Sequence, residues 1–207
     1  MQSAPKPAPN PITKKKILAV EGPIDGCFFN ALFRNLRLRG QIQIVQMYGK
    51  DKLADRIDLI TKTSGFQNVT DFGIAIDADS NYAGRFHSIC HALRQSSLPV
   101  PAATLVKAQG RPNITVYTLP RTNTNGMLED LLLSSVRNDP AIPCVDAYFL
   151  CLNGQGVIPK HMSKARAHAF LASRREPDLN CGNATNAKYW VLSDAVFYEV
   201  KAFVLSL

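Results

Sequence analysis

Apolar residues recur along this chain in two alternating rhythms. Short continuous runs at residues 17–20, 42–46, 72–76, 102–106 and 114–119 have the length and composition of buried strands. Between them, apolar residues return every three or four positions. Phe28, Phe29, Leu32, Phe33 and Leu36 form one such stripe, and Leu53, Ile57 and Ile60 a second. Phe86, Ile89, Cys90 and Leu93 form a third, ending before Pro99, and Leu128, Leu131, Leu132 and Val136 a fourth after Gly126. Strand and helix alternating through the first three strands predict an α/β fold: a central, mostly parallel sheet with helices on both faces.

The pattern changes towards the end of the chain. From residue 147 on it is mainly helical, with one helix expected over 163–173 and a last one carrying Val196, Val200 and Phe203. Trp190 is expected in the core of this part. Gly154-Gln155-Gly156 reads as a turn between helices. At the other end, Pro5, Pro7, Pro9 and Pro11 among small residues predict a disordered or polyproline-like tail. The expected organisation is a tail over 1–15, an α/β core over 16–137, and a helical C-terminal extension over 138–207 packed on that core. There is no internal repeat.

Two of the strand runs stop at acids. Ile17-Leu18-Ala19-Val20 runs into Glu21-Gly22, with Asp25 close behind, and Phe72-Gly73-Ile74-Ala75-Ile76 runs into Asp77-Ala78-Asp79. Parallel strands ending in carboxylates deliver them to one edge of the sheet, which is where open α/β sheets bind ligands. Carboxylates gathered there repel one another unless protons or a cation sit among them. An oxygen-only set suits Mg²⁺ or Mn²⁺. Taken singly, each acid has a plainer use. Asp25 would serve the helix that follows it, and Asp79 or Ser80 would cap the next one. Glu21, ahead of Gly-Pro, makes a poor cap.

Charge and cysteine usage narrow the setting. The 207 residues carry 24 Lys and Arg against 16 Asp and Glu, a net charge of +8, which favours an anionic partner such as nucleic acid. Arg34, Arg37 and Arg39 trail the first helix, where they would meet a phosphate backbone or simply face solvent. The five cysteines are odd in number and form no CxxC pair, so reduced thiols are expected rather than a disulfide framework or a zinc knuckle. His87 and His91 lie four apart but lack a third metal ligand nearby. No apolar stretch approaches a membrane span, and a cytoplasmic protein is expected.

The two acidic segments resemble known signatures. Val20-Glu21-Gly22 with Asp25 is similar to the first signature of the Toprim fold, shared by topoisomerases, primases and OLD-family nucleases. Ile76-Asp77-Ala78-Asp79 is similar to its DxD signature. The chain resembles most closely the small stand-alone bacterial Toprim-like proteins that group near the OLD nucleases. Leu119-Pro120, followed by Gly126-Met127-Leu128-Glu129-Asp130, resembles their third segment, and Ser163-Lys164-Ala165-Arg166 a later lysine-bearing helix. The resemblance runs over about residues 16–174 and implies a Toprim-like Rossmannoid core. It implies that Glu21, Asp77 and Asp79 hold a catalytic Mg²⁺ or Mn²⁺. Asp25, Glu129 and Asp130 would serve a second ion, and Lys164 would neutralise charge on the reacting phosphate. The implied chemistry is metal-dependent phosphodiester cleavage in DNA or RNA.

Departures from the larger families sharpen that expectation. There is no GxxxxGK[ST] motif, so an ATPase motor would have to come from a separately encoded partner. There is no zinc ribbon, and no tyrosine stands out as a topoisomerase nucleophile; Tyr82 reads as a surface or lid residue. Two other functions fit parts of the pattern. A receiver-like phosphoacceptor domain also sets acids after its first and third strands, but it needs a lysine after its last strand, where this chain has Leu119-Pro120. A non-catalytic module binding nucleic acid or protein would need the acids only for structure.

Overall fold

A computed structural model of the chain describes residues 10–47 and 53–207. Four strands form one all-parallel sheet in the order β2-β1-β3-β4, where β1 is Lys16–Val20, β2 Ile42–Gln46, β3 Asp71–Asp77 and β4 Asn113–Leu119. After β1 the chain moves outward to β2, then returns across β1 to lay down β3 on its other side. The crevice at the carboxyl ends of β1 and β3 is therefore the topological switch point of the sheet.

The strands are apolar on both faces because both are covered. Leu18, Val20, Ala75, Tyr117 and Leu119 face one core, and Ile17, Ala19, Ile74, Ile76, Ile114 and Val116 face the other. The second core is closed by α2 (Leu53–Thr61) and α3 (Tyr82–Gln95). The first is closed by α1 (Pro23–Asn35), α4 (Leu128–Ser135) and the C-terminal helices. These are α5 (Ala141–Gly154), α6 (Met162–Ala172), α7 (Cys181–Asn186) and α8 (Tyr198–Ser206). α8 lies close on the sheet. Phe203 stacks on Tyr117 at 5.4 Å, and a Cβ at Gly73 would come within 2.8 Å of Leu207. Trp190 is buried, stacks on Phe170 at 5.2 Å, and donates to the Cys181 carbonyl at 2.9 Å.

Two expectations shift. Residues 102–106 form no strand. Leu105 takes φ 65°, outside any strand geometry, and the segment touches β4 only at points such as Leu105 N–H to the Val116 carbonyl, 2.9 Å. Ala102, Ala103 and Val106 are exposed, so the run lacks the burial a strand needs. It lies along the outer edge of β4 without completing a ladder. The expected tail also joins the fold before residue 15. Ile12 is buried, its N–H donates to the Ser64 carbonyl at 2.8 Å, and the Thr13 N–H donates to Gln43 Oε1 at 2.8 Å. Pro5, Pro7 and Pro9 lie outside the described residues. No helix among the described residues is long and apolar enough to cross a membrane.

Candidate active site

Pairing of β1 with β3 sets Val20 opposite Ala75. Glu21 therefore emerges one residue beyond that pair and Asp77 two, on neighbouring strands. The N-termini of α1 and α4 close over the same edge. Glu21, Gly22, Pro23, Ile24, Asp25, Asp77, Glu129 and Lys164 line one cleft of about 260 Å³. Four carboxylates thus share a small space with one lysine.

Three of the four acids are each held by a different local device. Asp25, the third residue of α1, reaches back to accept the Gly22 N–H at 2.9 Å, an N-terminal capping interaction. Asp77 Oδ1 accepts the Leu128 N–H at 2.9 Å, so the free amides of α4 point at the end of β3. Glu21 Oε1 pairs with Arg85 Nη2 at 2.5 Å. Glu129 is only 5 % exposed, yet among the described residues nothing donates a hydrogen bond to it or forms an ion pair with it. It opens onto the cleft beside three other carboxylates, a repulsion that a cation would relieve.

Crowding shows in the protonation of the group. Burial pushes the Asp25 carboxyl from its ordinary value of 3.8 up to about 6, with the charges of Glu21 and Glu129 adding to the rise and the Gly22 N–H opposing it. Burial likewise drives Asp77 well above the usual carboxylate range, helped by Asp25, Glu21 and Glu129 and opposed by the Leu128 N–H.

The remaining sequence candidates fall around this cleft rather than in it. Asp130 spends one oxygen on the Met127 N–H, 2.8 Å, and the other on the Ser163 hydroxyl, 2.5 Å. It caps α4 and ties α6 to it. Asp79 is absent from the residues lining the cleft. Its backbone takes φ 51° and exchanges two hydrogen bonds with Gly126. The cap of α3 is Asn81, not Asp79 or Ser80, with Asn81 Oδ1 accepting the Gly84 N–H at 2.9 Å. Tyr82 is half-buried and donates to Thr104 Oγ1 at 2.8 Å. His87 and His91 are both exposed on α3.

Arg85 was not foreseen from sequence. Its signal was there: a cation in the first turn of a helix opposes the helix dipole, a local inconsistency that asks for a nearby acid. The donor chemistry of the cleft, carboxylate oxygens with one lacking a described partner, fits a hard divalent cation. Among the described residues, no group of three or more His, Cys, Asp or Glu side chains is positioned to hold a metal ion.

The pattern of a family described as "Protein of unknown function (DUF3226)" matches residues 15–207. No curated protein matches the chain. Among solved structures, the chain is similar to a hypothetical protein from Pyrococcus horikoshii OT3, at 15 % identity and a TM-score of 0.63, covering 94 % of this chain and 95 % of that one. It also matches the C-terminal region of the Xanthomonas campestris pv. campestris OLD protein, at 14 % identity and a TM-score of 0.42, covering 93 % of this chain and 97 % of that one. The first of these likenesses extends the fold over nearly the whole length of both chains.

Proposed function

We propose that this chain, which belongs to the DUF3226 family, is a divalent-metal-dependent phosphodiesterase of Toprim type acting on nucleic acid. One observation carries the reading. The Glu129 carboxylate, without a described partner, opens into a cleft it shares with Glu21, Asp25 and Asp77, at the switch point of a parallel sheet. Such a group calls for a cation, and a bound anionic substrate alone would worsen the repulsion.

Glu21, Asp77 and Glu129, with Asp25 beside them, are the residues that would hold Mg²⁺ or Mn²⁺, as one ion or two. Bound there, the metal would activate water and stabilise the leaving oxygen of a phosphodiester. The chain's own residues do the rest. The α4 amide at Leu128 fixes the Asp77 carboxylate, and the Gly22 amide fixes Asp25. Lys164, on the first turn of α6, lines the same cleft and is the group that would balance charge on a reacting phosphate. Asp79, outside the cleft lining, is the least supported of the carboxylates in the DxD signature. The net charge of +8 supports a polyanionic substrate, DNA or RNA.

The test is cleavage of labelled single- and double-stranded DNA and RNA by purified protein with Mg²⁺, Mn²⁺ or chelator. Metal-dependent cleavage that falls at least about 100-fold in Glu21→Gln and in Asp77→Asn is expected, the scale on which loss of an electrostatic stabiliser is felt. Cleavage unchanged in both variants sinks the proposal. So does failure of Mn²⁺ to bind the wild-type protein.

A further inference from the structure

Glu21 is the one acid of the cleft that is paired with a cation of the protein itself, among the described residues. Arg85 reaches it from the first turn of α3. Its Nε donates to the Asp77 carbonyl at 3.2 Å, and its Nη2 meets Glu21 Oε1 at 2.5 Å. One guanidinium thus bridges the ends of β1 and β3. Both side chains are largely buried, at 18 % and 13 % exposed. The pairing coexists with a cleft in which no acidic trio is positioned for a metal. Arg85 occupies Glu21 Oε1, one of the oxygens a metal would use.

We propose that Arg85 is a resident counter-cation that a divalent ion must displace from Glu21, so that Arg85 sets the metal affinity of the site. This rests on reading the cleft as a metal centre. A guanidinium keeps its proton at any working pH, so it leaves Glu21 only by turning away. The bond from Nε to the Asp77 carbonyl keeps the arginine stem at the strand end while the outer nitrogens swing. A divalent ion meeting several carboxylates replaces a single positive charge meeting one, so the exchange is favourable, and Glu21 is never buried as a lone charge. The released fork has the planar geometry that suits two phosphate oxygens. Arg85 is therefore a positioning residue whose effect is read first in metal binding, before any substrate is added.

Lys164 supplies the control. It lines the same cleft and carries the same charge, but forms no ion pair with Glu21 among the described residues. Mn²⁺ binding is measured without substrate, by calorimetry or by the loss of free-ion paramagnetic signal. Relative to wild type, Arg85→Gln should bind Mn²⁺ about tenfold more tightly, a difference of about 1.4 kcal/mol. Lys164→Gln should tighten it no more than about twofold. Arg85→Gln binding no tighter than wild type overturns the proposal, as does Lys164→Gln matching it, which would reduce the effect to net charge. Arg85→Lys guards against misfolding. It keeps the charge but lacks the Nε donor, and about threefold tighter binding is expected; unchanged or weaker binding counts against displacement. If neither wild type nor the Arg85 variants bind Mn²⁺, the metal reading itself fails. If wild type binds and the variants bind no better, only the role of Arg85 fails.

Discussion

Asp79 and Gly126 exchange a pair of backbone hydrogen bonds, N–H to carbonyl in both directions, each 2.7 Å long. This short antiparallel bridge fastens the loop leaving β3 to the loop that opens α4. It fixes the start of α4, and therefore Glu129, relative to Asp77. Gly126 sits at φ 135°, and a Cβ there would approach Asp130 Oδ2 to 2.7 Å. Gly126→Ala should lower unfolding stability by about 2 kcal/mol, from backbone strain and a displaced cap. Denaturant unfolding reads the loss. Mn²⁺ affinity should fall with it, because Glu129 moves with the cap.

Glu129→Gln removes a cleft charge with which no described residue pairs. In chelator, the variant should be at least as stable as wild type, since the charge removed repels Asp25 and Asp77. It should also lose most of the thermal stabilisation that added Mn²⁺ gives wild type. Thermal melts with and without metal check both effects. A variant less stable than wild type in chelator would mean that Glu129 is balanced within the protein.

The raised Asp25 pKa sets a pH dependence for the metal-free protein. The carboxyl ionises near 3.8 ordinarily and at about 6 in the fold, so the folded state holds the proton more tightly. The stability this gives is fully present below about pH 3.8 and is lost as pH rises through about 6. Asp25→Asn cannot ionise and keeps an oxygen for the Gly22 N–H. In chelator, its stability relative to wild type should therefore grow by about 2–3 kcal/mol between pH 4 and pH 7. Parallel urea titrations at the two pH values measure it, and a constant gap would refute it.

Arg34 and Arg39 line a second, shallow cleft of about 250 Å³ with Asn30 and Gly40. Among the described residues neither has an acidic partner. Arg34 lies nine residues beyond Asp25 on α1, about 14 Å along its axis. If they hold the backbone of a strand entering the site, Arg34→Ala with Arg39→Ala should weaken nucleic-acid binding and reduce the salt dependence by about two charges. Fluorescence anisotropy across a salt series reads both. An unchanged slope would leave these arginines as solvated surface.

The sheet was legible because its strands are short, apolar on both faces and followed at once by acids. Ile17-Leu18-Ala19-Val20 before Glu21, and Phe72 to Ile76 before Asp77, carry the register that sets the cleft. Residues 102–106 are nearly as apolar but lie outside the ladder; composition cannot separate a strand from a segment laid along a strand's edge. Asp25 and Asp130 were indistinguishable in sequence, each the third residue of a helix reaching back to its own cap. What separates them is tertiary. Asp25 faces the cleft, while Ser163, 33 residues further on, takes the second oxygen of Asp130. Arg85 escaped notice because its partner lies 64 residues away, beyond the reach of any local pattern.

The Ser163–Asp130 bond has a bearing on how this protein could be divided. It binds α6 to α4 by a single hydroxyl, and the next residue along, Lys164, is the only cation lining the acidic cleft among the described residues. The site is therefore a joint between the sheet and the C-terminal helices. Severing the chain between α4 and α5 would keep every carboxylate of the cleft on one piece and still take away the lysine and the strut beside it. The smallest working unit is set by that joint, not by the edge of the sheet.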